Sequence, residues 1–365
     1  MSNSNQKSVA PLVAVLGGCG ALVVILLVCG VGGAYLARRH WATPTPSAQA
    51  QVVPTVDPVA VQYAPGRVEP LSEALRRKGF NECNPHDPIG YGPYLPYHRM
   101  RMGRILVPQK GGHTADMGYD VMVHFHGYEP VRKVLVQTAH GIVYVGMDFG
   151  VGSGKYSKPF QNKDVFPRLR GYIEKALKKQ SGDDRAHIRH LALSAWSAGY
   201  GAINQILKHG DEGIDAVVLL DGLHAGWKPG ARKEQRVESV SALFVEPVLD
   251  FAEAAAKGED GKLFIFTHSY VDPVSYPSTS VTADLFLTEL GFNRESTDSD
   301  EPFGLAGSAD VLGFHLWSYK GHNEIAHCSH INHVVRAVTE VIEPAWKTPH
   351  MDRNVPFKKV PKWQK

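Results

Sequence analysis

Ser197 lies in the segment Ile188 to Ile203, where an apolar run reads as a buried strand, Ala195 to Gly199 as a tight turn, and the residues up to Gly210 as a helix. Ala202, Ile203, Ile206 and Leu207 fall on one face of that helix. A chain that reverses so sharply brings the strand and helix backbones almost together and pushes the side chain at its tip into the open. A serine hydroxyl placed there is a candidate nucleophile. Its pKa is far too high for unaided attack on a carbonyl, so an imidazole must take its proton and a carboxylate must orient that imidazole. The usual spacing is Gly-x-Ser-x-Gly, and here Ala195 stands at the first glycine position.

In a parallel α/β sheet the partners belong beyond the carboxyl ends of later strands, in the chain order Ser, acid, His. Asp272 follows the apolar run Leu263 to Thr267 in the sequence His-Ser-Tyr-Val-Asp-Pro and is placed first as the acid; Asp221, directly after Val217 to Leu220, is the alternative. Either could instead cap a turn, as Asp beside Pro or Gly often does. Four histidines, His322, His327, His330 and His333, fall between Lys320 and His333. His327, read as lying just before the last helix, is placed first as the base, and His322 in a Gly-His pair is the alternative. His330, read as following an N-cap at Ser329, and His333, read as inside the helix, are expected to pack, hydrogen-bond or titrate without catalytic duty. Donors for an oxyanion would be the Ala198 amide and the Gly127 or Tyr128 amide in Val123-His124-Phe125-His126-Gly127-Tyr128.

The elements needed to hold these groups are legible as alternating strands and helices. Met102 to Val107, Tyr119 to Phe125, Gly141 to Phe149, Asp215 to Leu220, Leu263 to Thr267 and Phe314 to Tyr319 read as strands. Helices are expected near Lys163 to Lys179, around Glu238 to Lys257, and over a final stretch that places Ile331, Val334, Val335, Val338, Val341 and Ile342 on one face. This alternation predicts an α/β fold with a mostly parallel central sheet and helices on both faces.

With His126-Gly127, the Ser197 turn, an acid after a late strand and a histidine near the last helix, the sequence from about residue 100 to 346 resembles the α/β-hydrolases. The resemblance implies an eight-stranded sheet, a cap after the sixth strand, and a cofactor-free serine hydrolase of carboxylesterase or lipase type working through an acyl-enzyme on a small-molecule or acyl-ester substrate. Amide and peptide bonds pass through similar intermediates, so the bond type stays open. Leu223 to Val237 could form a short lid, with Trp227 lining an acyl pocket. Two other readings compete with this one. A zinc hydrolase would use His124 and His126, but no third and fourth ligand follows at the usual spacing; a catalytically silent binding module would keep the fold without the reaction. Gly150 to Tyr156 only superficially suggests a phosphate loop, since Tyr156 replaces the metal-binding Ser/Thr.

The chain of 365 residues, 43% hydrophobic and 21% charged, carries a net charge of +3 from 39 basic and 36 acidic residues. No nucleic-acid partner is indicated. After a short tail at 1–8, residues 9–36 are almost wholly apolar and free of charge, long enough for a retained single-pass transmembrane anchor. A Pro/Ala/Thr-rich linker follows at 37–66 and the catalytic body occupies 67–365. Arg38-Arg39 against Lys7 would leave the body inside, whereas the stalk-like linker favours the extracytoplasmic side, which is the expectation adopted. Beyond the anchor the cysteines are Cys83 and Cys328, compatible with one disulfide or two free thiols.

Overall fold

The computed structural model describes residues 72–358 apart from positions 298 and 302. The expected anchor at 9–36 and linker at 37–66 lie outside the described residues. Among the described residues no helix is long and apolar enough to cross a membrane.

The elements run α1 (Glu73–Arg77), β1 (His98–Arg99), β2 (Arg104–Leu106), β3 (Gly118–Phe125), α2 (Tyr128–Thr138), β4 (Val143–Met147), α3 (Ser153–Phe160), α4 (Val165–Ser181), β5 (His187–Trp196), α5 (Tyr200–Leu207) and β6 (Ala216–Leu220). They continue with β7 (Gly226–Trp227), β8 (Val240–Ser241), α6 (Glu246–Ala256), β9 (Leu263–His268), α7 (Thr279–Leu290), β10 (Glu295–Ser296), β11 (Leu305–Val311), β12 (Phe314–Tyr319), α8 (Glu324–Arg336) and α9 (Glu343–Trp346). The described residues form a ten-stranded sheet in the order β1-β2-β4-β3-β5-β6-β9-β12-β11-β10, where eight strands were expected. The six central strands from β4 to β12 are mutually parallel, and the edges are antiparallel. A mostly parallel sheet with helices is therefore the architecture.

Central strands covered on both faces read as continuous apolar runs, because each side of the pleat meets a helix layer. Val217 and Leu219 of β6 enter one core with Leu169 and Ile173 of α4, Ile203 of α5 and Phe251 of α6. Ala216, Val218 and Leu220, on the other side, enter a second core with Val131 and Leu135 of α2 and Ile331 and Val334 of α8. The period-2 alternation along one strand thus feeds two cores.

The expected helix around Glu238 to Lys257 begins later, at Glu246 with Pro247 in its first turn. Residues 237–244 instead form short turns and β8, which pairs with β7. The last helix begins earlier than expected. Asn323, not Ser329, is its N-cap and accepts from the Ala326 amide at 2.9 Å, which puts His327 in the first turn rather than before the helix.

Candidate active site

The strand-to-helix reversal at Ser197 takes place where predicted. Ser197 has φ 50°, a conformation that L side chains seldom adopt, and it opens a short 3-10 turn, Ser197–Gly199, between β5 and α5. His126 after β3 and Asp221 after β6 share this left-handed region, at φ 69° and 43°. Strain gathered at three neighbouring strand ends is common at functional sites.

Two glycines permit the crowding. A Cβ on Gly199 would sit 2.1 Å from the Phe125 carbonyl oxygen, and one on Gly222 would sit 2.2 Å from the Ser197 carbonyl oxygen and 2.7 Å from its nitrogen. Ala195, in contrast, is accommodated with its side chain fully buried in the core. Of the two pattern positions around the serine, only the one after it demands glycine on steric grounds. Gly222 brings the end of β6, and with it Asp221, directly against the serine.

His327 Nδ1 donates to Asp221 Oδ2 at 2.7 Å. Ser269 Oγ donates to the same oxygen at 2.7 Å, while the Ser269 amide and Thr279 Oγ1 donate to Oδ1 at 2.9 and 2.5 Å. Asp221 is buried. Burial alone would raise its pKa, but the nearby imidazoles of His330 and His327 and the donors His327 and Thr279 outweigh it and hold the carboxyl well below the usual range. The imidazole is also gripped from the serine's side. Trp196 stacks on His327 with centroids 5.0 Å apart, and its indole N–H donates to the His327 carbonyl at 3.1 Å. Among the described residues neither His327 Nε2 nor the Ser197 hydroxyl forms a hydrogen bond, so the nitrogen opposite Asp221 and the hydroxyl are both uncommitted.

The acid ranked first from the sequence is elsewhere engaged. Asp272 Oδ1 accepts from Gln235 Nε2 at 2.9 Å and from the Val274 amide at 2.8 Å, so the structure does not bring it to a histidine. It closes a loop beside Pro273, the capping role that Asp-Pro sequences favour. His322 is likewise apart: its Nδ1 bonds the Tyr270 carbonyl at 3.0 Å and its exposed ring lies against Tyr270. His330 is buried with Nδ1 against Thr267 Oγ1 at 2.7 Å, and His333 stacks on Tyr319, so both pack as expected.

Gly127, at φ 65°, caps α2, so the amides that open this helix have no partner within it. His126 stacks on Trp196 with centroids 5.2 Å apart and so ties this loop to the serine turn, while its Nδ1 bonds Tyr156 Oη at 2.8 Å. Ala198 lies in the turn after the serine.

The zinc reading meets a geometric obstacle. His124 Nε2 donates to the His126 carbonyl at 2.8 Å and Nδ1 accepts from Ser194 Oγ at 2.9 Å, so both of its nitrogens are spent inside the protein. Burial pushes its pKa down to about 3, consistent with this neutral form. It lies within β3 and His126 past its end, and no cluster of three or more metal-ligating side chains occurs among the described residues.

Sequence reasoning missed Trp196, Ser269 and Thr279. Trp196 could have been found as a large aromatic beside the serine where small residues were expected; Ser269 and Thr279 carry no local signal, because only the sheet order brings them to Asp221. Cys83 and Cys328 form a disulfide with Cα atoms 4.8 Å apart, which ties the residue after His327 to the segment preceding β1.

No protein-family model matches the chain, and no curated protein sequence matches it. Solved structures similar to it include the enterochelin esterase from Shigella flexneri, at 12% identity and a TM-score of 0.42 over 72% of this chain and 63% of that one. The feruloyl esterase module from Clostridium thermocellum is similar at 11% identity and a TM-score of 0.38, over 69% of this chain and 89% of that one. An acetyl xylan esterase from Aspergillus awamori is similar at 12% identity and a TM-score of 0.35, over 65% of this chain and 92% of that one. The matched part of this chain spans 63% of the length of the Shigella flexneri enterochelin esterase.

Proposed function

We propose that the chain is a serine hydrolase of the α/β-hydrolase type that cleaves an ester bond, with Ser197 as nucleophile, His327 as general base and Asp221 as the acid that orients it. The observation that carries this reading is the 2.7 Å contact between His327 Nδ1 and the buried, fourfold hydrogen-bonded Asp221, beside a serine at a strained strand-to-helix turn. With Nδ1–H held by the carboxylate, Nε2 is the basic nitrogen and can accept the Ser197 proton as the hydroxyl oxygen adds to the ester carbonyl. The oxyanion that forms would be met by the Ala198 amide and by the Gly127 or Tyr128 amide at the start of α2, where the helix dipole also favours negative charge. His327 then returns the proton to the leaving alcohol, and water, activated by the same imidazole, releases the acyl group. Catalytic hydrogen bonds often tighten only with substrate bound, which suits the uncommitted hydroxyl seen here.

The disulfide bears on location. Such bonds persist in oxidising compartments, so Cys83–Cys328 supports a body outside the cytoplasm; an anchor at 9–36 is a separate proposal that rests on the apolar run alone. A fluorophosphonate probe tests the chemistry: wild type should be labelled, and Ser197→Ala and His327→Ala should not be, whereas His322→Ala should label like wild type. Equal labelling of Ser197→Ala and wild type would overturn the assignment.

A further inference from the structure

The cations of this protein are unevenly spread. Residues 98–104 and 149–180 together hold eleven basic and two acidic side chains, in a chain whose total charge is only +3. The two segments meet in space: the Arg101 guanidinium lies 6.0 Å over the Tyr172 ring of α4, and His98 on β1 is close enough to feel the charge of Lys179. Along α4 the positions Arg168, Tyr172, Lys175 and Lys179 recur at the spacing of one helix face, turned away from the buried Leu169, Ile173 and Leu177. Lys155 and Lys158 on α3 and Lys163 in the turn after it extend the exposed charge, and Ser153 at the start of α3 bonds Tyr200 Oη of α5.

None of the eleven forms an ion pair among the described residues, while Arg76, Lys110, Arg132, Arg189, Lys257, Lys262 and others elsewhere do. A concentration of like charge that folding leaves uncompensated costs self-repulsion and is relieved by an external anion. We infer that this face, formed by the β1–β2 hairpin and the outer side of α3 and α4, docks on an anionic phospholipid surface. The charge-free run at 9–36 is what favours lipid over a soluble polyanion. Read as an anchor, it would tether the body close to a bilayer, so that even a weak surface attraction acts at high local concentration. Long basic stems around the half-buried Tyr172 also suit a headgroup layer, where the charges reach phosphates and the ring sits at the interface.

The inference rests on the anchor reading of residues 9–36 and not on the hydrolase reading, and lysine acetylation footprinting of the full chain separates them. Reconstituted in vesicles of phosphatidylcholine alone or with phosphatidylglycerol, the lysines at 155, 158, 163, 175, 178 and 179 should be modified roughly fivefold more slowly on the anionic vesicles, and salt at roughly half a molar should abolish the difference. Exposed Lys233 and Lys347 serve as controls and should be modified equally on both. The variant Lys175→Glu with Lys179→Glu should lose the protection while hydrolysing a soluble ester at the wild-type rate. Equal modification on both vesicles, or protection by a soluble polyanion such as heparin but not by anionic vesicles, would overturn the proposal. Failure of the chain to float with neutral vesicles would refute the anchor and the proposal with it, and would leave the hydrolase reading untouched.

Discussion

Asp221 accepts from four donors supplied by three different segments, His327, Ser269 and Thr279, and this fixes its carboxylate plane before any substrate arrives. Replacing it with Asn keeps the volume but turns one acceptor into a donor that faces donors, and removes the charge that selects the Nε2-basic tautomer of His327. Asp221→Asn should therefore lower kcat on a chromogenic ester by roughly 10⁴-fold, the scale known for this substitution in the Ser-His-Asp template. Asp272→Asn should change kcat by less than about twofold, in line with an exposed side chain away from such features; comparable losses in the two would refute the assignment of roles. At this scale the sequence was informative about residue type and less so about pairing. Both acids visibly follow apolar strands. What separates them is that β6 lies next to β5 in the sheet, so that Asp221 emerges beside the serine, and lateral strand order leaves no local trace in the residues themselves.

Among the elements, α8 matters most to the site, since its first turn carries His327 and the adjoining Cys328 is tied to residue 83 by the disulfide. The link closes a sequence separation of 245 residues, and constraining so long a loop in the unfolded chain stabilises the fold by roughly 2–5 kcal/mol. Cys83→Ser combined with Cys328→Ser should lower the urea midpoint accordingly, and an unchanged midpoint would show that the crosslink does not contribute. The strands and the hydrophobic faces of α4 and α8 were legible because continuous or periodic apolar residues report burial directly. The start of α8 was not. Ser329 and Asn323 are both competent caps, and Asn323 prevails because the helix must begin where β12 delivers the chain across Gly321, a tertiary constraint.

For the molecule as a whole, buried histidines set the response to acid. Burial lowers His268 and His330 to about 4 and His124 to about 3, against about 6.5 in an unfolded chain. Between pH 6.5 and about 4 the unfolded chain binds these protons and the folded one does not, so this stability is fully present above pH 6.5 and falls as the pH drops. His140, raised by its hydrogen bond to Glu343, has the opposite sign, favouring the fold below its unfolded pKa, and its effect is nearly flat at pH 5. Unfolding free energy from urea titrations should decrease by about 4 kcal/mol per pH unit near pH 5; a flat profile from pH 7 to 5 would contradict the buried, neutral state of these rings.

The Cys83–Cys328 bond also has a topological meaning. It makes the polypeptide between those residues a closed covalent ring that contains the central sheet, the serine and the acid. A protease that nicks the exposed stretch near Arg232-Lys233 opens the ring once without releasing a fragment. The two pieces migrate together until a reductant is added, so a single cut costs the protein a peptide bond and none of its mass.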